Sequence, residues 1–226
     1  MDELIQNFFN FDVLRLTSGV LARGLVTTIA LAILVIPLGM FIGLLLAVAF
    51  TQGNRTIRGF LLCWIDIFRA FPPLVLLIYV YYGGPMLGLD LGAYGSIALA
   101  FTLNTSSYFC EIFRAGIESV PRGQWDAALA SGMSRRVAFT IVALPQAVRT
   151  VFPDIISNIL TVTQLTSLAS VVGVPELLRA ALTSQGTTYN ATPLIAAAVL
   201  YLILLWPLVR LVSRFERRFG GAVLHV

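Results

Sequence analysis

Polar side chains recur at helical spacing within one apolar stretch of this sequence. Asn104, Ser107, Tyr108 and Glu111 lie one to four residues apart, so they form one stripe along a helix. A polar stripe in apolar surroundings faces protein or a water-filled cavity rather than lipid. Two interpretations of the stripe are open: hydrogen bonds to a neighbouring helix, or contact with a solute.

A second group of polar side chains, Gln164, Thr166 and Ser167, lies later in the chain. Amides, hydroxyls and the Glu111 carboxylate are groups that can bind a polar solute along a membrane path. We therefore predict that both groups line a solute path. For Glu111, a purely structural ion pair with Arg114 is an equally good interpretation, because the two residues are neighbours on a helix.

Groups that could carry out catalysis are lacking in this sequence. No His, Cys, Asp and Glu residues show metal-ligand spacing, and no Ser/His/Asp set is recognisable. All 15 basic residues are arginine, so a phosphate-binding loop of the GxxxxGK[ST] type cannot occur. We expect neither an enzyme nor a chain with its own metal or cofactor.

Composition assigns the chain to a membrane. Of its 226 residues, 58% are hydrophobic and 12% are charged, and the mean hydropathy is +0.89, whereas soluble domains carry about 25% charged residues. The net charge of +4 comes from arginines beside apolar segments, so we expect contact with the lipid bilayer and not with nucleic acid. A span needs roughly 20 apolar residues, which predicts an all-α membrane protein of about five spans in one domain, 1–226.

Apolar runs give the positions of these spans. No charge occurs between residues 25 and 50, whereas the second run must include Asp66 and Arg69, which we predict to form a structural ion pair. Gly39 and Gly43 have the small-residue spacing that allows close helix contact. The predicted elements are an amphipathic lead-in (1–18), five spans (25–50, 59–82, 91–110, 152–168 and 191–209), an amphipathic connection (134–150) and a surface helix (171–184).

The distribution of arginine predicts the orientation of the spans. Cytoplasmic connections of membrane proteins are enriched in Arg and Lys. Five spans then place the N-terminus and the 171–184 helix outside, and the region 111–153 and the C-terminus in the cytoplasm. The arginines on the predicted cytoplasmic side are Arg55, Arg58, Arg114, Arg122, Arg135, Arg136, Arg149, Arg210, Arg214, Arg217 and Arg218.

A short helix is predicted within the region 111–153. A proline and a glycine interrupt the preceding helix, the next residues are tolerant-to-good helix formers, and Gly132 occupies the position of a C-terminal stop. The predicted helix covers 123–131, and Trp125, Ala128 and Leu129 form its apolar side. Such a side needs either the lipid interface or a groove of another protein.

The same region contains Asp126-Ala127-Ala128, then Gly132, then Val142-Ala143-Leu144-Pro145. This order resembles the EAA cytoplasmic loop of ABC importer permeases, the membrane subunits of ATP-driven, binding-protein-dependent uptake systems. Three further segments, 68–75 (FRAFPPLV), 108–117 (YFCEIFRAGI) and 144–149 (LPQAVR), are similar to the polar amino acid branch, which includes histidine, glutamine and glutamate-aspartate permeases.

The resemblance implies a type I ABC importer permease fold and a place in a larger complex of a bacterial inner membrane. The implied partners are a second permease subunit (identical or a paralogue), two ABC ATPase subunits that bind ATP and Mg, an extracytoplasmic solute-binding protein and a polar amino acid. The 123–131 helix would couple to the ATPase by lying in a cleft of it. The residues expected to couple are Gln124, Trp125, Asp126, Ala127, Ala128, Ser131 and Gly132.

The sequence departs from the family pattern at two places. Asp126 replaces the usual Glu of the loop, a conservative change that preserves the docking idea. Where the branch often has Lys-Asp-Thr-Ser-Leu, this chain has Gln164-Leu165-Thr166-Ser167-Leu168, which favours a polar or acidic solute over Arg or Lys. The alternative function is a secondary transporter or channel subunit acting without ATP; an internal inverted repeat would favour it, and no convincing repeat is evident.

Overall fold

The structure, a computed structural model, describes residues 6–219 and their side chains except those of residues 52 and 216–219. In that range the regular elements are all helical, as the sequence predicts. The start of the predicted lead-in and the side chains of Arg217 and Arg218 lie outside this description. The elements are α1 (Phe11–Gln52), α2 (Arg55–Ala70), α3 (Pro73–Ile78) with a π-helical turn (Tyr79–Gly83), a 3-10 turn (Pro85–Leu87), α4 (Gly92–Glu118), α5 (Arg122–Ala130), α6 (Arg135–Val137) with a π-helical segment (Ala138–Ala143), α7 (Leu144–Leu165), a 3-10 segment (Thr166–Val172), α8 (Leu177–Thr188) and α9 (Thr192–Phe219).

The first span continues into the predicted lead-in without a break. The side-chain oxygen of Asn10 accepts hydrogen bonds from the N–H groups of Asp12 and Val13 at 3.0 and 3.1 Å, which caps the first turn of α1. From residue 11 onward, the predicted lead-in is therefore the start of the same helix as the first span. The 42 residues of α1 correspond to a length of about 63 Å. Because the hydrocarbon core of a bilayer is about 30 Å thick, α1 extends beyond it.

The second predicted span is a broken helix. α2 ends at Ala70 and α3 begins at Pro73, and between them Phe71 (φ −75°, ψ 123°) and Pro72 (φ −59°, ψ 127°) have extended backbone angles. Proline has no N–H to donate and disfavours the helical conformation of the residue before it, so the two prolines end α2 inside an apolar run. The predicted second span, 59–82, therefore consists of two helices that meet at the prolines, and its crossing of the membrane stays a prediction.

The number of spans is only partly decided by length and composition. Three helical runs of the described residues are long and apolar enough to cross a membrane, namely Gln6–Thr51, Arg135–Val172 and Thr192–Phe215. Counting the bent pair Arg55–Ala70 and Pro73–Gly83 as one span gives four. α4 has 27 residues, but its polar stripe makes it less apolar than these runs. Five spans and their orientation stay predictions.

The fourth predicted span begins earlier than expected. Helical structure is continuous from Arg135 to Val172. Within this run the hydrogen-bond pattern changes twice, to π-helical at Ala138–Ala143 and to 3-10 helical at Thr166–Val172, without ending the helix. The predicted boundary between a surface connection (134–150) and a span (152–168) is therefore wrong.

The predicted surface helix is shifted along the chain and partly buried. Gly173 ends the 3-10 segment with φ 82°, and Glu176 caps the start of α8, which runs to Thr188 instead of ending at residue 184. One face of α8 packs inside the protein, so it is not a purely surface helix. The buried residues of α8 are Leu177, Ala180, Ala181 and Ser184.

The chain divides into two compact units. The first consists of residues 1–37, 72–102 and 160–209. The hydroxyl of Thr28 in α1 accepts a hydrogen bond from the N–H of Leu177 at 3.1 Å, so α1 holds the start of α8. One core cluster of this unit comes from α1, α8 and α9, and its members are Leu21, Leu177, Ala180, Ala181 and Ala197.

The second unit consists of residues 38–71, 103–159 and 210–226. In it α1 and α4 approach closely, because a Cβ atom at Gly43 would lie 2.6 Å from the Cβ of Phe109, and one at Gly39 would lie 2.7 Å from the Cγ2 of Thr105. The close contact predicted for the two glycines is thereby confirmed. A core cluster of this unit contains Ala47, Ile65 and Cys110.

Candidate functional site

The short helix predicted between chain breaks is α5. It covers Arg122–Ala130, one residue earlier at each end than predicted. Its end is a Schellman motif, in which the N–H of Met133 donates to the oxygen of Ala128 at 3.2 Å and the N–H of Gly132 donates to the oxygen of Leu129 at 3.0 Å. Gly132 has φ 82°, a conformation that favours glycine, so the predicted stop is confirmed.

One side of α5 packs against its own chain. Trp125 stacks on Phe139 with ring centroids 6.3 Å apart, and Ala128 is only 6% exposed. The apolar side of α5 therefore finds part of its partner within the same unit, whereas the sequence suggested that only lipid or another protein could cover it. The residues that Trp125 and Phe139 pack against are Val120, Ala143 and Ala147.

The other side of α5 is open to a partner. Asp126 and Ala127 are exposed, and Leu129 keeps 38% of its surface. The residues predicted to couple therefore lie on two sides of α5. Trp125 and Ala128 attach α5 to its own unit, and the others are available for contact with a partner. The exposed members of the set are Gln124, Asp126, Ala127, Ser131 and Gly132.

Two members of the polar stripe form hydrogen bonds with the end of α2. Nδ2 of Asn104 donates to the backbone oxygen of Phe68 at 2.8 Å, and the hydroxyl of Tyr108 donates to the backbone oxygen of Arg69 at 3.4 Å. The last carbonyls of a helix have no N–H partner within it, and the prolines that follow α2 supply none. For Asn104 and Tyr108, hydrogen bonding between helices is therefore confirmed.

Arg69 pairs with Glu111 and not with Asp66. Nη1 of Arg69 lies 3.7 Å from Oε2 of Glu111, and its guanidinium carbon lies 5.4 Å from the ring centroid of Tyr108. The same carboxylate oxygen accepts a hydrogen bond from Arg114 at 2.7 Å, as the second interpretation of Glu111 expects. The predicted Asp66–Arg69 ion pair is wrong, because a carboxylate from α4 takes the place of the local one. Among the described side chains, no three His, Cys, Asp or Glu residues are grouped so that they could hold a metal ion.

Some polar atoms of the second unit are buried without a hydrogen-bond partner. They are Oγ1 of Thr105, Nε of Arg114 and Nδ2 of Asn158. Such an atom costs about 1–3 kcal/mol and is a candidate for contact with a solute. Ser107 is fully buried and donates to the oxygen of Leu103 at 3.2 Å. Thr105 and Asn158 are not among the site residues predicted from the sequence; the burial of their polar atoms distinguishes them.

The second polar group lies in the first unit and bonds mainly to its own backbone. Oγ1 of Thr166 donates to the oxygen of Thr163 at 2.7 Å, and Oγ of Ser167 donates to the oxygen of Gln164 at 2.8 Å. Thr166 is fully buried, whereas Gln164 is exposed. Since the stripe at 104–111 belongs to the second unit, a solute path shared by the two groups stays a prediction.

A buried carboxylate that the sequence analysis did not single out lies at the start of α8. Glu176 is 0% exposed and accepts hydrogen bonds from the N–H groups of Leu178 and Arg179, each at 2.7 Å, and from the hydroxyl of Tyr201 at 3.0 Å. Burial raises the pKa of Glu176, and these hydrogen bonds oppose the rise. Residue type alone gives little indication that Glu176 caps α8, because Glu is not a preferred N-cap residue.

Comparison with known protein families assigns the chain. The family model described as "Binding-protein-dependent transport system inner membrane component" matches residues 36–221. The chain belongs to this family. It is therefore a permease, the membrane subunit of an ABC importer, and not the catalytic subunit. Membership also decides against the ATP-independent alternative.

Individual relatives agree with this assignment. The putative glutamine transport system permease protein GlnP of Rickettsia felis is 31% identical over 186 residues, which cover 81% of this permease and 85% of that protein. The L-cystine transport system permease protein TcyB of Bacillus subtilis is 34% identical over 206 residues, 90% of this permease and 88% of that protein. A chain in the crystal structure of an amino acid ABC transporter with histidines is 30% identical with a TM-score of 0.81, covering 89% of this permease and 95% of that chain. The fold is that of ABC importer permeases.

Proposed function

We propose that this permease is the translocation subunit of an ATP-driven importer of a polar amino acid. Relatives named for glutamine and for L-cystine support the solute class without selecting one solute. The complete importer would contain a second permease subunit, identical or paralogous, two ABC ATPase subunits with ATP and Mg, and an extracytoplasmic solute-binding protein. It would lie in a bacterial inner membrane, with the N-terminus outside and the C-terminus in the cytoplasm.

The observation that supports this proposal most directly is the end of α2 beside the polar stripe. Interrupted helices with polar groups at their ends are typical of solute sites in transporters. The C-terminal end of α2 carries partial negative charge, which favours an ammonium group. Arg69 lies in the last turn of α2, and its Nη1 is 3.7 Å from Oε2 of Glu111. Because its side chain is still 41% exposed, the guanidinium can also bind the carboxylate of a solute. Together these groups fit the two charges of an amino acid.

The solute path would combine Arg69 with the residues predicted from the sequence. Glu111 keeps Arg69 in place, and Tyr108 supplies both a ring face and a hydroxyl beside it. The members predicted from the sequence are Asn104, Ser107, Tyr108, Glu111, Gln164, Thr166 and Ser167.

Contact with the ATPase would be made by the open side of α5. Asp126 and Ala127 would enter a cleft of the ATPase, while Trp125 and Ala128 keep α5 attached to its own unit. Because Trp125 stacks on Phe139, which belongs to the helical run from Arg135 to Val172, movement of α5 would pass directly to a spanning helix.

Uptake by the complete importer in liposomes tests the proposal. We expect ATP-dependent uptake of a labelled polar amino acid. We also expect Arg69→Gln to raise KM roughly tenfold or more, because a charge-assisted hydrogen bond is lost. Arg55→Gln, an exposed arginine at the start of α2, is the matched control and should leave KM unchanged. An unchanged KM in Arg69→Gln would remove Arg69 from the path, whereas uptake without ATP would contradict the proposed function itself.

A further inference from the structure

A groove in the second unit is lined by arginines and aromatic rings. Arg58, Arg135 and Arg136 border it together with Trp125 and Phe139, and its volume is about 810 Å³. This volume lies within the range of about 300–1,000 Å³ that is usual for small-molecule sites. Among the described residues, no acidic side chain lines the groove. The groove therefore combines positive charge with apolar surface.

The positive charge of the groove is not neutralised by the described side chains. Arg114, at the end of α4, has ion pairs with Glu111 and Glu118 at 2.7 and 3.7 Å, whereas no described carboxylate lies within ion-pair distance of the groove arginines. Arg135 and Arg136 are exposed. An anionic ligand would therefore not have to displace an internal partner.

Arg58 is fixed at the groove by the end of α1. Its Nε and Nη2 donate to the backbone oxygens of Phe50 and Thr51, each at 3.0 Å. These bonds cap the C-terminal end of α1, and the guanidinium still has N–H groups that they do not use. The charge is thus held in position, which lowers the entropy cost of binding a ligand.

The groove lies where two membrane-spanning candidates end. The run Gln6–Thr51 finishes beside it, and the run Arg135–Val172 begins in it. The ends of spanning helices lie at the level of the lipid headgroups or beyond it, and Trp is enriched at that level. Both the position and the ring of Trp125 fit a lipid.

We propose that this groove binds the headgroup of an anionic phospholipid. The guanidinium groups of Arg58, Arg135 and Arg136 contact the phosphate, and the rings of Trp125 and Phe139 contact the glycerol and the first methylenes of the acyl chains. Basic pockets between spanning helices bind anionic headgroups in this way. A lipid fits better than an acidic protein segment, because the groove opens at the ends of two spans and much of its lining is apolar. Since Trp125 belongs to α5, the bound lipid would support the helix that we propose to contact the ATPase.

Native mass spectrometry of the full-length permease in its complex tests this proposal. Phosphatidylglycerol and phosphatidylcholine with the same acyl chains are added to the detergent-purified protein, and retained lipid is counted. We expect the wild type to retain phosphatidylglycerol preferentially. Each groove arginine should contribute about fivefold in affinity, so the double variant Arg135→Gln/Arg136→Gln should bind roughly 25-fold more weakly. Arg149→Gln, an exposed arginine of α7 that does not line the groove, should behave as the wild type.

Two outcomes would overturn the proposal. Equal retention of phosphatidylglycerol by the wild type and the double variant would show that the groove does not bind it. Unchanged lipid retention together with loss of the ATPase subunits from the double variant would assign the groove to a protein partner. If the double variant fails to fold, the single variants Arg135→Gln and Arg136→Gln decide, and each should lower retention about fivefold. The test does not depend on which solute is transported.

Discussion

At the scale of single residues, the side chain of Asn104 in α4 caps the C-terminal end of a different helix, α2. Its amide is 4% exposed and donates to the backbone oxygen of Phe68 in the last turn of α2. Loss of that bond would leave a part-buried carbonyl oxygen at the end of α2 unpaired, at a cost of about 1 kcal/mol. The register between α2 and α4 is therefore specified by a side chain bonded to a backbone atom.

Glu176→Gln should change how the stability of the permease depends on pH. Burial raises the pKa of Glu176 in the folded protein above its value in the unfolded chain. The stability gained from the neutral carboxyl is therefore fully present below the unfolded pKa and is lost as pH rises through the folded pKa. The glutamine variant has no such titration. Melting temperatures are measured by intrinsic fluorescence. We expect the melting temperature of the wild type minus that of the variant to be larger at about pH 4 than at about pH 8.

The control for this measurement is Glu118→Gln. The side chain of Glu118 is 56% exposed and lies at the end of α4. Comparing the two variants at both pH values separates the effect of burying a carboxyl group from that of merely removing one. A difference that does not vary with pH in Glu176→Gln would contradict the assigned effect of burial.

Residue spacing predicted some of these contacts and missed others for a physical reason. The Glu111–Arg114 pair follows from spacing alone, because both residues lie on one helix. Arg69 has Asp66 at the same spacing but pairs with Glu111, since α4 brings a carboxylate close to the end of α2. Local spacing contains no information about such tertiary neighbours. Glu176 was missed because its burial depends on α1 and α9.

At the scale of elements, the short helix α5 must both stay attached to its own unit and present a surface to a partner. Trp125 and Ala128 attach it to its own unit, and Asp126 and Ala127 present a surface to a partner. Ala128 is therefore a poor position for testing contact with the ATPase, because a larger side chain there would disturb the attachment. Variants of Ala127 separate the two effects.

Gly132→Val should uncouple ATP hydrolysis from uptake. Gly132 has φ 82°, where a β-branched residue is strained by about 1–2 kcal/mol or more, so the last turn of α5 should fray. We expect lower uptake per ATP hydrolysed in the reconstituted importer, with normal insertion of the permease. Gly123→Ala is the matched control, since a Cβ there meets nothing within 4 Å and alanine favours the helix. Equal coupling in the two variants would argue against a role of this helix end.

Elements were predictable where local chemistry determines their ends. α5 was located because proline and glycine bound it, and the close contact at Gly39 and Gly43 follows from small residues in an apolar run. The break between α2 and α3 was missed because apolar residues continue on both sides of the prolines, so hydropathy gives no signal. The continuous run from Arg135 to Val172 was missed because its arginines suggested a separate surface segment.

At the scale of the whole molecule, the permease is one part of an importer whose other parts supply the energy. The all-α fold and the family were predictable, since composition, the apolar runs and several motifs all indicate them. The solute path was less predictable. Its two polar groups belong to different units, and several of their hydrogen bonds go to backbone atoms. The proposed coupling to the ATPase can be tested at helix α5.

Photo-crosslinking in the assembled importer tests most directly whether α5 transmits the work of the ATPase. A benzoylphenylalanine probe introduced at Asp126 or Ala127, both exposed on α5, is compared with the same probe at Thr183, an exposed position of α8. We expect crosslinks from the two α5 positions to an ATPase subunit, with a yield that differs between the nucleotide-free and the ATP-bound states, and none from Thr183. Crosslinks from Asp126 and Ala127 to lipid alone, in both states, would contradict the mechanism.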